Sequence, residues 1–252
     1  MGSSALEFRL RYWIHALIYT LGFVAPWNYV FHTDATGPNA HAWGVVSAAL
    51  AKSGILSIGA AFDLLLALGI ACAVGGALLR TWGSAYLGAD VVADGQMHTG
   101  NGAAGIVAAG PYRFLRNPLY LGTFLHTFAL ALLMPLSGAL FAIVAIGVMQ
   151  VRLILGEEAF LTGKLGAAYT AYRAVVPRIV PAFKTHVASS GLMPRWPQAA
   201  LGELYFWGVA ASFAAAGWHY NASLLTQCVV VSFGAGLVAK AIQPAGRREQ
   251  AA

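Results

Sequence analysis

The sequence predicts an all-α membrane protein: a bundle of about six spans with a polar, loop-built region on one face. Three observations predict it. Of 252 residues, 59% are hydrophobic and only 10% charged, whereas a soluble domain carries about a quarter charged residues. Apolar runs long enough to cross a bilayer alternate with polar joints, and mean hydropathy is +0.68. Basic residues fall on one side: with the N-terminus inside and six spans, Lys52 is the only one of 15 lysines and arginines in an outside loop. Positive charge on the inner side orients a membrane protein. Both chain ends and the loop 80–117 are therefore expected on the cytoplasmic side of an inner or plasma membrane. The formal net charge of +6 is scattered between apolar runs, which reads as a topology signal and not as a nucleic-acid surface. Cys72 and Cys228 both sit in apolar runs, with no disulfide framework and no metal-ligand spacing.

Taken in order, Arg9 and Arg11 precede a first apolar run from about Tyr12 to Phe31, too long for a signal-peptide core. Gly37-Pro38-Asn39 marks a turn, and Trp43 to Leu50 an amphipathic piece. The second span runs from about Ile55 to Leu79, closed by Arg80 and Trp82 as interface anchors. Residues 80–117 form a long glycine-rich connection, of the kind that is usually functional when it lacks periodic structure. Spans three and four, about Leu119 to Met134 and Ser137 to Leu155, form a tight hairpin around Pro135-Leu136. A polar basic stretch follows to Trp196, then two spans near Ala199 to Gly217 and Leu224 to Ala241, and a basic tail from Gln243. This divides the chain into an N-terminal span and outer loop (1–59), a core (60–183) and a linker with two C-terminal spans (184–252).

The chain is organised around Gly110-Pro111-Tyr112-Arg113-Phe114-Leu115-Arg116-Asn117-Pro118-Leu119-Tyr120-Leu121-Gly122. Gly110-Pro111 is a turn signal, and Asn117-Pro118 reads as an N-cap followed by proline at the first helical position. A helix N-terminus at the membrane face, with its partial positive charge, suits a carboxylate or phosphate. Glu157-Glu158 should stand opposite, where the fourth span leaves the membrane. Two readings follow: a site for a zwitterionic or cationic ligand, or a salt bridge from Arg113 or Arg116 that ties the hairpin ends together.

These motifs resemble the signature of the isoprenylcysteine carboxyl methyltransferases, and the neighbouring phospholipid N-methyltransferases are similar. Leu79-Arg80-x-Trp82, Leu87-Gly88, Glu157-Glu158-x-x-Leu161, Leu165-Gly166-x-x-Tyr169-x-x-Tyr172 and Val176-Pro177-Arg178 extend the resemblance over about residues 60 to 183. It implies an integral membrane methyltransferase that uses S-adenosylmethionine at the cytoplasmic face and takes a lipophilic acceptor from the bilayer. Carried over by position, the cofactor contacts are Ala104, Gly105, Ile106, Val107, Tyr112, Arg116, Asn117, Pro118, Leu119, Tyr120 and Glu157. His98 is a further candidate contact.

Two departures stand out. Asn117 replaces the family's usual histidine and cannot titrate. Leu153 stands where the family tends to place a substrate-side arginine, with Arg152 one residue earlier, about 100° around the helix. Arg152 and Glu158 are carried as the catalytic candidates on the acceptor side. An isoprenylcysteine-like carboxylate needs no base at neutral pH, since its reference pKa is about 4; an amine or phenol acceptor would use Glu158 or Tyr120. The rival readings are a phospholipid amine methyltransferase, a non-catalytic protein keeping the fold, and a nicotinamide-dependent membrane reductase. Asp63 and His126, inside spans, read first as structural and second as functional.

Overall fold

The computed structural model describes residues 2–25, 41–88, 106–185 and 187–242. Among these residues there are ten α-helices, two short 3-10 turns and no strand. Helix α1 (Ala5–Arg9) begins in a capping box, Ser4 accepting from the Glu7 N–H while Glu7 accepts from the Ser4 N–H. Next come α2 (Arg11–Val24), α3 (Ala42–Lys52) and α4 (Ile58–Leu87), the last capped by the Ser57 hydroxyl. The core hairpin is α5 (Pro118–Ala131) and α6 (Leu136–Leu165), followed by α7 (Ala167–Val175). The chain then forms α8 (Trp196–Gly202), α9 (Leu204–Ala216) and α10 (Ala222–Ile242).

Each expected span has a helix in its place, but the lengths differ. Helices α4, α6 and α10 are each long and apolar enough to cross a membrane; α8 and α9, bent by 66° at Glu203, make a fourth crossing if counted together. Helices α2 and α5 have 14 residues each, roughly 21 Å against the ~30 Å of a hydrocarbon core. The expected continuation of the first span to Phe31 lies outside the described residues. Helix α5 stops early because Leu132, Leu133 and Met134 tighten into bonds three residues back, 3.0–3.3 Å long. Helix α4 instead carries on past Leu79 to Leu87, so Arg80 is inside it and not at its end.

The helices pack as a row: α2 on α6, α6 on α5, α5 on α4, α4 on α9 and α9 on α10. The buried centre includes Leu66, Leu130, Met134, Ile146 and Phe213. The Ala42 and Trp43 N–H groups donate to Met134 O (2.7 Å) and Leu132 O (2.9 Å), laying α3 over the hairpin turn. Asp63, exposed at the same end of the bundle, accepts a hydrogen bond from the Tyr220 hydroxyl.

Helices α4 and α5 meet backbone to backbone. A Cβ at Gly122 would stand 2.7 Å from Arg80 Cγ and 2.9 Å from the Gly76 carbonyl oxygen. Gly122→Val should therefore pry the pair apart, costing about 2 kcal/mol and roughly 6 °C of melting temperature. Thermal unfolding in detergent checks this; an unchanged transition would contradict the close packing.

Candidate active site

Gly110–Arg113 forms a 3-10 turn, entered through Gly110 at φ +52°, which leads the chain down to α5. The segment after α7 is stitched over it. Arg116 N–H donates to Pro177 O, Ala182 N–H to Phe114 O and Ser190 N–H to Ala108 O, each at 2.9 Å. The Tyr172 hydroxyl donates to Tyr112 O at 2.6 Å. Arg113 takes no part in the hairpin junction; its guanidinium donates to Val187 O (3.0 Å) and Thr185 Oγ1 (3.1 Å).

The two adjacent glutamates do different work because neighbours on a helix point about 100° apart. Glu158 faces the loop, held by Arg116 at 3.0 Å and by Arg178 at 2.9 Å, with the Asn117 amide at 3.4 Å. Glu157 faces inward and accepts a 2.9 Å hydrogen bond from the Tyr120 hydroxyl. The salt-bridge reading therefore describes Glu158, and the ligand-site geometry belongs to Glu157. Asn117 occupies the N-cap position of α5, but its side chain makes no cap bond. Its amide is drawn to Glu158 and to Arg178 O at 3.0 Å, leaving the helix end open toward the interior.

That interior is a cavity of about 420 Å³. At one end it is lined by the described members of the expected cofactor set: Ile106 and Val107, Tyr112, Arg116, the run Asn117-Pro118-Leu119-Tyr120, and Glu157. Ala104, Gly105 and His98 lie outside the described residues. Leu161, Leu165, Tyr169 and Tyr172 complete an apolar and aromatic wall. The Tyr112 hydroxyl is buried there without a hydrogen-bond partner among the described residues. Burial pushes the Tyr169 hydroxyl up to about 12, and burial beside Glu157 pushes Tyr112 well above its usual 10, so both stay neutral near pH 7.

The two residues expected on the acceptor side do not line this cavity. Glu158 is turned into the arginine clamp. Arg152 points to the protein's outer face, paired with Glu7 at 2.8 Å, while its carbonyl accepts from the Ser3 N–H at 2.8 Å. Hydrogen bonds from the Ser4 backbone and from Arg152 hold the Glu7 carboxyl below the usual carboxylate range. The physical reason is helix phase: Leu153, not Arg152, occupies the cavity-facing position, and no irregularity in α6 rotates Arg152 inward.

Apart from His126, whose second reading was as a cavity residue, sequence reasoning missed the far end of the cavity. Arg80, read as an interface anchor, is buried in its wall and forms a two-pronged ion pair with Glu203, Nε to Oε2 2.6 Å and NH2 to Oε1 3.0 Å. It also donates to Thr123 Oγ1 at 2.8 Å, and Ser84 donates to Glu203 at 2.6 Å. His126 is both buried and part of the cavity lining, 3.1 Å from the Tyr205 hydroxyl. Tyr19 bonds Thr127 at 2.8 Å, and His15 lies 3.3 Å from Gln150. A charge within an apolar run was the available signal for Arg80; nothing in the sequence tied it to Glu203.

No curated protein and no solved structure matches the chain. Residues 64–168 match the family model described as phospholipid methyltransferase, a stretch that runs from α4 through the open end of α5 to Glu157 and the start of α7. Over this stretch, less than half of its length, the chain is similar to the phospholipid methyltransferase family.

Proposed function

We propose that this protein transfers a methyl group from S-adenosylmethionine to a lipophilic acceptor at the membrane face that carries the basic loops. The observation that carries the proposal is the Glu157–Tyr120 pair, set at the open N-terminus of α5 below the apolar Ile106–Val107 strip. The residues present fit that cofactor. A carboxylate suits its ribose hydroxyls or ammonium, the helix end suits its carboxylate, and the apolar strip with Tyr169 and Tyr172 suits adenine. The unpartnered Tyr112 hydroxyl supplies one more polar contact inside the pocket.

When bound, S-adenosylmethionine supplies a methyl group already activated on a sulfonium, so the chain itself needs to bind, orient and exclude water. Tyr120 fixes the Glu157 carboxylate, and Leu161, Leu165 and the segment stitched over the loop keep the site dry. Glu158 is clamped by two arginines, and among the described residues that line the cavity Glu157 is the one carboxylate. An acceptor that is already nucleophilic, such as a carboxylate, would need no base there.

Calorimetric titration of detergent-purified protein with S-adenosylhomocysteine and, separately, with NADPH tests the reading. Saturable binding of the first alone is expected. Binding of the nicotinamide instead, or of neither by folded protein, would overturn it.

A further inference from the structure

Two buried polar atoms at the far end of the cavity have no partner among the described residues: Gln150 Oε1 and His126 Nδ1. Both residues line the cavity, and they are only 5% and 1% exposed. Their neighbours decide which of the two donates. His15 Nδ1 lies 2.5 Å from the Arg11 carbonyl oxygen, which can only accept. The neutral His15 ring therefore carries its proton on Nδ1, and Nε2 is a lone-pair acceptor. The Gln150 amide nitrogen, 3.3 Å away, donates to that Nε2, which leaves the amide oxygen as a free acceptor. The flipped amide would set two lone pairs against each other. On the other wall the Tyr205 hydroxyl has one partner among the described residues, His126 Nε2 at 3.1 Å, and places its proton there. The neutral His126 ring then holds its hydrogen on Nδ1, a free donor.

We infer that this end of the cavity is a subsite for an uncharged hydrogen-bonding group, a hydroxyl or an amide, carried by an otherwise apolar ligand. The group donates to Gln150 Oε1 and accepts from His126 Nδ1. Polar atoms left unpaired inside a bundle are costly, and a site built around them rejects a ligand that lacks the matching group. An ion does not suit the place. Arg80, one turn along α5 at Thr123, is already engaged by Glu203, so its charge is not free to replace the water an ion gives up. Tyr19, Tyr205 and Phe206 add an aromatic wall for the apolar part. Position along the helices supplies a ruler. His126 lies six residues beyond Tyr120 on α5, and Gln150 seven before Glu157 on α6. Both helices thus put the subsite about 10 Å from the Glu157–Tyr120 pair. Naming the occupant as the methyl acceptor, with its uncharged group that far from the methylated atom, rests on the methyltransferase reading; binding at Gln150 and His126 does not.

The test uses the full chain in phosphatidylcholine nanodiscs and two membrane-soluble probes: dodecanol carrying a diazirine, and its methyl ether, which accepts a hydrogen bond but cannot donate one. Photolabelling is mapped by peptide mass spectrometry, and competition with plain dodecanol isolates the saturable part. The alcohol should label α5 and α6 around His126 and Gln150 about tenfold more than the ether at equal mole fraction, through the one hydrogen bond the ether lacks. Gln150→Met should bring the alcohol down to the level of the ether. His126→Phe should lower labelling by both probes alike, and melting curves confirm that each variant is folded. Equal labelling by both probes in wild type, no saturable labelling by either because water alone fills the pocket, or a preference that survives Gln150→Met overturns the subsite. If Gln150→Met does not fold, unchanged labelling in His126→Phe overturns it instead. S-adenosylhomocysteine titrated into the same nanodiscs separates the two readings. Alcohol selectivity with no nucleoside binding upholds the subsite and removes the methyltransferase reading.

Discussion

Glu157→Ala should weaken S-adenosylhomocysteine binding by about a hundredfold, the equivalent of roughly 3 kcal/mol. The carboxylate is nearly buried and held in one orientation by the Tyr120 hydroxyl at 2.9 Å, so its loss removes a pre-set charged acceptor and not a mobile surface group. Glu157→Gln keeps the shape and one acceptor oxygen and should cost about tenfold. Tyr120→Phe leaves the charge but frees its orientation, and should fall between wild type and Glu157→Gln. Calorimetric titration of the variants, with melting curves to confirm that each is folded, decides it. A Glu157→Ala protein that binds as wild type does would move the cofactor site elsewhere in the cavity.

Glu203→Ala should be the most damaging single change to stability, at about 3–5 kcal/mol and a fall in melting temperature on the order of 10 °C. Arg80 is 11% and Glu203 only 3% exposed, and two short bonds join them. Removing the carboxylate strands a guanidinium inside the bundle and leaves the Ser84 hydroxyl without its acceptor. The double variant Arg80→Met with Glu203→Leu should recover most of the loss, because an apolar pair of similar volume carries no desolvation penalty. If the double variant is less stable than Glu203→Ala alone, the pair is not what holds α4 to the α8–α9 bend.

Much of this was legible in the chain because its signals are local. Asn117-Pro118 marks the start of α5 and Pro135 the turn of the hairpin, each within a residue or two of the structure, while the span read from about Ile55 begins as a helix at Ile58. The side chains from Tyr112 to Tyr120 that line one end of the cavity were legible for the same reason, since they follow one another along the chain. What could not be read depends on rotation or on distance along the chain. Which of Glu157 and Glu158 faces inward is set by the phase of a 30-residue helix, and so is the outward turn of Arg152. The Arg80–Glu203 bond joins residues 123 apart, through a bend that hydropathy alone reads as one continuous span. Helix lengths also escaped, since apolar composition continues through the tightened turn after α5 and polar composition does not end α4.

The matched stretch 64–168 supplies Glu157, Tyr120 and the open helix end, yet it does not enclose its own cavity. Closure comes from α2 at one end of the row and from α9 and α10 at the other. A protein assembled this way can be altered in two independent parts over evolutionary time. Substitutions in the flanking helices alter the cavity lining while the central stretch keeps its sequence. Exchanging α2 and α10 between two such proteins would then test whether selectivity travels with them, leaving Tyr120 and Glu157 in place.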